Sequence, residues 1–348
     1  EKLTFNGIKI EVVNSYKYLG FLLTTKLSAD CACEEYVGKA KGKVLDLMKT
    51  MWSLGYFDAS FFFQLFDAQV KPMLLYAAEI WGTAKLSIIE TAHMFACKRL
   101  LGLSDKTPNQ FIYGDTGRYS LYIDSCLASL RYWLKLTYMP DDRFPKQAYL
   151  MLRNSMDLNT FYNSKNWAWG IKNVLETYGF GNVWQDGAAN TPGFLRLIRN
   201  KMIERFQEEW KDKVDRSDRF SIYRLFKQSH GIEHYLSDIT IKRFRDCVIR
   251  FRFGINDLKA NKRFYYSNSI SLQDCPFCPN KREDEIHFIF HCPVYTDLRK
   301  KYVDNMIITN CDLDVNFQSI MKCASVTYSR NLGMYVFYAM KLREELLL

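Results

Sequence analysis

The chain has 348 residues, 48% of them hydrophobic, which is enough to fill more than one packed core and excludes a linker or a disordered tail. Its 48 basic residues outweigh 38 acidic ones, a formal net charge of +10 that favours a polyanionic partner without identifying one. Ten cysteines without a disulfide framework fit a reducing compartment, and no apolar run approaches the roughly 18 to 20 residues that span a bilayer, so an intracellular protein without a membrane partner is expected.

The β signal is confined to residues 1–28. LTFNGIKIEV alternates on either side of Asn6-Gly7, a hairpin signal, and SYKYLGFLLT reads as a third strand rich in aromatic and branched residues. After Ser28 the period changes to that of a helix, with Val37, Ala40, Val44, Leu47 and Met51 three or four residues apart. Its other positions carry Lys39, Lys41, Lys43 and Lys49 against Asp46, either a solvated face or one that tracks phosphates. Asp58 is a good N-cap for a second helix, which runs to Val70 before Pro72 kinks it or opens another as far as Trp81. Helical patterns then cover Ser87 to Leu101, stopping at Gly102, and Ser120 to Tyr138. A helical domain over residues 29–139 therefore ends at MPDDRFPK, whose two prolines mark a boundary.

Residues 147–273 read as a second helical region, clearest at Ser164 to Tyr178 and at Thr191 to Val214, with Pro192 near the first helical position. Its last stripe, Ile241, Phe244, Val248 and Phe251, lies in the most basic stretch of the chain. Lys242, Arg243, Arg245, Arg250, Arg252, Lys259, Lys262 and Arg263 there oppose Asp246 and Asp257.

That stretch runs into CPFCPNKREDEIHFIFHC. Cys275, Cys278, His287 and Cys292 have the spacing C-x2-C-x8-H-x4-C, three thiolates and an imidazole that suit a closed tetrahedral zinc site. The Cys pair would grip the ion from a tight turn around Pro276. His287 and Cys292 would return from a helix that opens with Glu283, Asp284 and Glu285, acids favoured by the helix dipole. His291, one turn on, could replace His287 or Cys292. The zinc module spans residues 274–308, with Asp297 to Ile308 extending the finger helix, and residues 309–348 form a tail whose helix is Ser329 to Leu348.

Other candidate chemistry is weaker. YMPDD imitates the paired aspartates of a polymerase hairpin, but its spacing and Pro140 make it an inter-helix loop. His230 and His234 have the spacing of helical metal ligands, although Gly231 between them argues for a helix end. Cys31 and Cys33 read as free thiols, and Trp167, Trp169, Trp184 and Trp210 as core more than base-stacking surfaces. No phosphate-cradling glycine loop and no defensible nucleophile–base arrangement is present in the sequence.

SYKYLGFLLTTKLS, VKPMLLYAAEIWG, CKRLLGL with TPNQFIYGDTGRYSL, VIRFRFGINDL and the CPFC…EDEIHFIFHCPVYTDLR block together resemble the C-terminal part of reverse transcriptases of LINE-type non-LTR retrotransposons. The resemblance covers nearly the full length. It implies that a polymerase palm precedes the YLG segment, that Tyr18, Leu19 and Gly20 lie on the strand leading from palm to thumb, and that Cys275, Cys278, His287 and Cys292 ligate zinc. The catalytic aspartates of the family, and the Mg2+ they hold, would lie before Glu1, so no catalytic residue and no activity of its own is expected. An N-terminal endonuclease, where the element has one, would also lie outside, and too few residues follow Cys292 for the restriction-like nuclease of some relatives.

The expected fold is therefore mostly α, with an N-terminal hairpin and three-strand segment, a multi-helix thumb-like and connecting region, and a small zinc module. The expected function is to hold template RNA, primer or target DNA during target-primed reverse transcription, in the nucleus or in a cytoplasmic ribonucleoprotein. Lys39, Lys41 and Lys43 are candidates for primer-template phosphates, and Arg245, Arg250, Arg252 and Arg263 for RNA or target DNA, through contacts indifferent to sequence. The alternative is a domesticated or relic zinc-containing helical module for protein contacts. It draws support from the finger's own charges, Lys281 and Arg282 against Glu283, Asp284 and Glu285.

Overall fold

Helical patterning governs most of the chain. The structure is a computed structural model that describes residues 4–6, 8–25, 29–55, 58–84, 87–157, 166–186, 192–262, 273–308 and 311–348, and it is mostly helical. Strands appear near the start, where β1 (Thr4–Phe5) pairs antiparallel with β2 (Ile8–Lys9), and β3 (Ser15–Tyr18) with β4 (Phe21–Thr24). Gly7 lies outside the described residues.

The stretch read as a third strand is thus a hairpin of its own. Its two turn residues, Leu19 and Gly20, have φ of 47° and 86°, the positive pair that lets a two-residue loop follow the strand twist. Glycine adopts such angles freely and leucine does not, so half of the turn carries no local signal. Two tyrosines hold it from outside. Tyr36 donates to the Gly20 carbonyl at 2.9 Å, and the Tyr76 hydroxyl donates to that of Leu19.

The chain forms two compact units, neither of them contiguous. One gathers Glu1–Leu47, Leu65–Ala96 and Tyr119–Phe206, and the other Met48–Gln64, Cys97–Arg118 and Gln207–Leu348. In the first unit the helix Leu121–Thr137 runs through a core of Leu130, Trp133, Ile171, Leu175, Trp184 and Ile198. Trp133 and Trp184 stack at 5.8 Å, and the Trp133 indole N–H donates to the Tyr149 hydroxyl at 3.1 Å, so the rings bury apolar area without stranding a donor. Ser125 and Ser129 of this helix donate to the carbonyls of Gly82 and Ala78 at 2.8 and 2.7 Å. The backbones approach so closely that a methyl group on Gly82 would collide with the Ser125 carbonyl. Pro72, which lacks an N–H, follows a π turn over Phe66–Val70, in which Lys71 N–H reaches back to the Phe66 carbonyl, and a short helix, Lys71–Leu74, then begins.

The second unit is built around a buried charge. Arg252, 1% exposed, ends the helix Lys242–Arg252 and donates to Asp115 at 3.1 Å, to Glu233 at 2.7 Å and to the Met321 carbonyl. Tyr223 and Tyr235 donate to the two oxygens of Asp115, each at 2.7 Å, and Lys227 pairs with Glu233. A guanidinium taken out of water is tolerable only when its donors are met in this way. No helix among the described residues is long and apolar enough to cross a membrane.

Candidate metal centre

Within the second unit, a turn, a cap and a proline place four donors. Cys275 N–H donates to the Lys281 carbonyl at 2.7 Å and Asp274 bridges Arg282, while Cys278 N–H returns to the Cys275 carbonyl at 3.3 Å. Asn280 completes the turn at φ 56°, which asparagine tolerates better than most side chains. The returning helix is opened by Asp284, whose carboxylate accepts the His287 N–H at 2.8 Å. It runs as a π turn from His287 to His291, closed by the Cys292 N–H on the His287 carbonyl at 2.9 Å. Pro293 holds the residue before it out of the helical region, and Cys292 accordingly sits at ψ 120°.

The donor atoms of Cys275, Cys278, His287 and Cys292 are buried and lie within 4.8 Å of one another. The Sγ atoms of Cys278 and Cys292 are 3.8 Å apart, and tetrahedral metal–sulfur bonds of about 2.3 Å would hold two sulfurs about 3.8 Å apart. His287 Nε2 is buried without a hydrogen-bond partner, the state of a nitrogen reserved for a metal. Burial pushes the Cys292 thiol up to about 12, raises Cys275 and lowers His287, since a dry pocket penalises every charged form. A cation at the centre reverses the penalty on the thiolates. His291 is exposed and outside the group, so the choice between the two histidines falls on His287.

The surroundings of the donors are equally determined. Arg299 donates to the carbonyls of Ile289 and Cys292 at 2.6 and 2.7 Å, and Tyr335 to that of Phe288 at 2.6 Å, which satisfies the end of the π turn. The acids at the opening of that helix are largely internal. Glu283, 1% exposed, receives Arg343 bidentately at 2.6 and 2.8 Å, and Glu285, also 1% exposed, accepts from Asn261 at 2.5 Å and Asn256 at 3.3 Å.

The basic candidates separate by helix face. Arg245 and Arg252, seven residues apart, share a face with Val248 and are 2% and 1% exposed, so their expected place at a phosphate surface is corrected to the interior. Arg250 points the other way and is exposed. In the first unit Lys39 is exposed, 2.7 Å from Glu35, which Lys17 also approaches at 2.7 Å, and the two ammonium groups hold the Glu35 carboxyl down to about 2. Lys41 lies 5.5 Å over the Phe95 ring and Lys43 is half-buried. Arg263 lies outside the described residues. His230 donates from Nε2 to the Arg118 carbonyl, 3.0 Å away, and neither it nor His234 belongs to the four-donor group.

The buried Arg252–Asp115–Glu233 cluster escaped sequence reasoning. Its one local hint was an arginine at the period of an apolar stripe.

Comparison with family models, curated proteins and solved structures finds no match.

Proposed function

We propose that the chain is the nucleic-acid-binding C-terminal part of a retrotransposon RNA-directed DNA polymerase, holding template RNA, primer or target DNA while a palm and its Mg2+ elsewhere make the bond. The observation that carries this reading is the four-donor centre, which closes within the block that most strongly resembles the LINE-type enzymes. Three thiolates and an imidazole suit zinc, and four protein donors leave no open position, so the ion is structural. Its binding free energy, on the order of 10 kcal/mol, would fold a short module that has little core of its own. Exposed Arg250 and Lys39 remain for phosphates, alongside Lys41 and Lys43 at partial exposure. A palm, and in some elements an endonuclease, would be partners on a longer chain, and the reading places the protein in the nucleus or in a cytoplasmic ribonucleoprotein.

The test is binding of a structured RNA and of a duplex DNA across a salt series, with and without chelation. The reading expects affinity whose logarithm falls steeply with log salt and which drops on metal removal. A folded, zinc-loaded chain that binds neither at moderate salt would overturn it.

One observation favours the second reading, a relic or domesticated module for protein contacts. The β3–β4 hairpin exposes Tyr16, Tyr18, Leu19 and Leu23 beside Tyr76 and Ile80, an apolar surface suited to a protein partner.

A further inference from the structure

Beside the metal turn, inside the second unit, lies a cavity of about 310 Å³, at the lower end of the roughly 300 to 1,000 Å³ of small-molecule sites. The segment between Cys278 and His287 supplies one wall, with Arg282, Asp284 and Glu285. Arg219 forms another, and the floor is Phe111 and Phe253, whose rings stack at 4.6 Å and 13°.

The lining selects the class of ligand. A wholly apolar molecule would desolvate the arginines and carboxylates without replacing their hydrogen bonds. A bare anion would face Asp284 and Glu285, and a bare cation would face Arg219 and Arg282. The carboxylates are fixed in place, Asp284 by the His287 N–H and Glu285 by Asn256 and Asn261, yet a carboxylate keeps further lone pairs after accepting one bond or two. Arg282 is exposed at the mouth, and a planar guanidinium can grip a phosphate with two donors or stack on a base. What satisfies both signs is a ligand with an anionic end and a planar, donor-bearing end.

The geometry points to an unpaired nucleotide of a nucleic-acid strand, with its base over the Phe111–Phe253 floor against the Asp284–Glu285 edge and its phosphate at Arg219 and Arg282. The inference rests on the nucleic-acid reading above and adds a preference to it. Adenine, guanine and cytosine offer an exocyclic amino group to a carboxylate, whereas uracil and thymine offer only the ring N3–H, flanked by two carbonyl oxygens that a carboxylate repels. Because the metal turn forms one wall, metal removal dismantles the site.

The zinc-loaded full chain, as wild type, Arg282→Glu and Arg219→Glu, is titrated calorimetrically with 5′-AMP, 5′-UMP, inorganic phosphate and argininamide. Expected is binding of 5′-AMP, with 5′-UMP about tenfold weaker. Each charge reversal weakens 5′-AMP about tenfold or more, while the thermal midpoint of the exposed Arg282→Glu variant stays unchanged. Phosphate that binds as well as 5′-AMP would show an anion site only, and argininamide that binds better would show a peptide-type site. Either overturns the assignment, as do variants that bind 5′-AMP as well as wild type. If long RNA binds and 5′-AMP does not, the cavity inference fails and the parent reading stands. If 5′-AMP binds and neither RNA nor DNA does, the parent reading fails and the cavity remains a site for free nucleotides.

Discussion

Two short turn-forming segments of this protein reverse the usual placement of side chains. The β3–β4 hairpin is apolar and lies open, with Tyr16 61% and Leu19 75% exposed, whereas the acidic segment after the Cys-x2-Cys turn is charged and enclosed, with Glu283 and Glu285 each 1% exposed. Both segments make their own backbone hydrogen bonds, so what differs is their supply of distant side-chain partners. Arg343 and Asn261 come to the acids from 60 and 24 residues away and make burial tolerable. The hairpin has tyrosines at its turn but little to cover its flanks, and an isolated two-stranded ribbon is marginal in water. Polarity alone therefore does not decide what is inside here, because burial follows partnership.

The enclosed side of that contrast is the one most easily broken. If the four-donor group holds zinc as proposed, Cys278→Ser is expected to reduce the bound metal from one equivalent to none and to destabilise the second unit by several kcal/mol, out of a metal-binding free energy on the order of 10 kcal/mol. Metal analysis and thermal unfolding read both, and His291→Ala should change neither. A serine variant that keeps its metal would remove Cys278 from the donor set.

Arg252 and Arg250 sharpen the point within one helix. Arg252→Met takes the guanidinium from the buried Asp115 carboxylate and the partly exposed Glu233, leaving Asp115 its two tyrosine donors and Glu233 its Lys227, and should cost about 3 to 5 kcal/mol in chemical denaturation. Arg250→Met, on the exposed face, should stay within about 0.5 kcal/mol. On the proposed nucleic-acid reading it should instead lower RNA affinity and reduce the salt slope by about one. Equal losses of stability would mean that the two faces are not partitioned as described.

Legibility in the sequence follows the same division. The metal donors could be read because all four lie in one stretch with a spacing set by a turn and a helix, and helix starts at Asp58 and Ser120 because a cap is a local bond. The buried cluster could not, since Asp115 and Arg252 are 137 residues apart and each looks like an ordinary surface charge in its own segment. Nor could the Leu19-Gly20 turn, where leucine adopts a conformation its type disfavours, or the π turn at His287, which shares its periodic pattern with an α-helix.

His230 offers a milder test. Burial lowers its pKa from the ordinary 6.5 to about 4, so the fold favours the neutral ring. The unfolded chain takes up the proton first as pH falls below 6.5, and stability is lost between 6.5 and 4. Allowing for the partial exposure of the ring, the loss is about 1 to 2 kcal/mol. It is read as the difference between wild type and His230→Gln across that window, and parallel pH profiles would show that the ring titrates normally.

The smallest effect addresses the open side. Leu19 holds φ 47° with three quarters of its surface exposed, and asparagine adopts that region at less cost. Leu19→Asn should therefore stabilise the hairpin by about 0.5 kcal/mol, seen as slower hydrogen exchange at the paired Tyr18 and Phe21. The backbone carbonyl that accepts from Tyr76 is retained, so nothing in the turn's own bonding opposes the gain. A loss above about 1 kcal/mol would mean that the Leu19 side chain already packs against Tyr76 and Ile80 strongly enough to outweigh the relief of strain. The hairpin would then be closed within its own unit. A gain would leave an apolar side chain kept at a strained turn without benefit to the fold, which is the signature of a residue retained for contact with a partner.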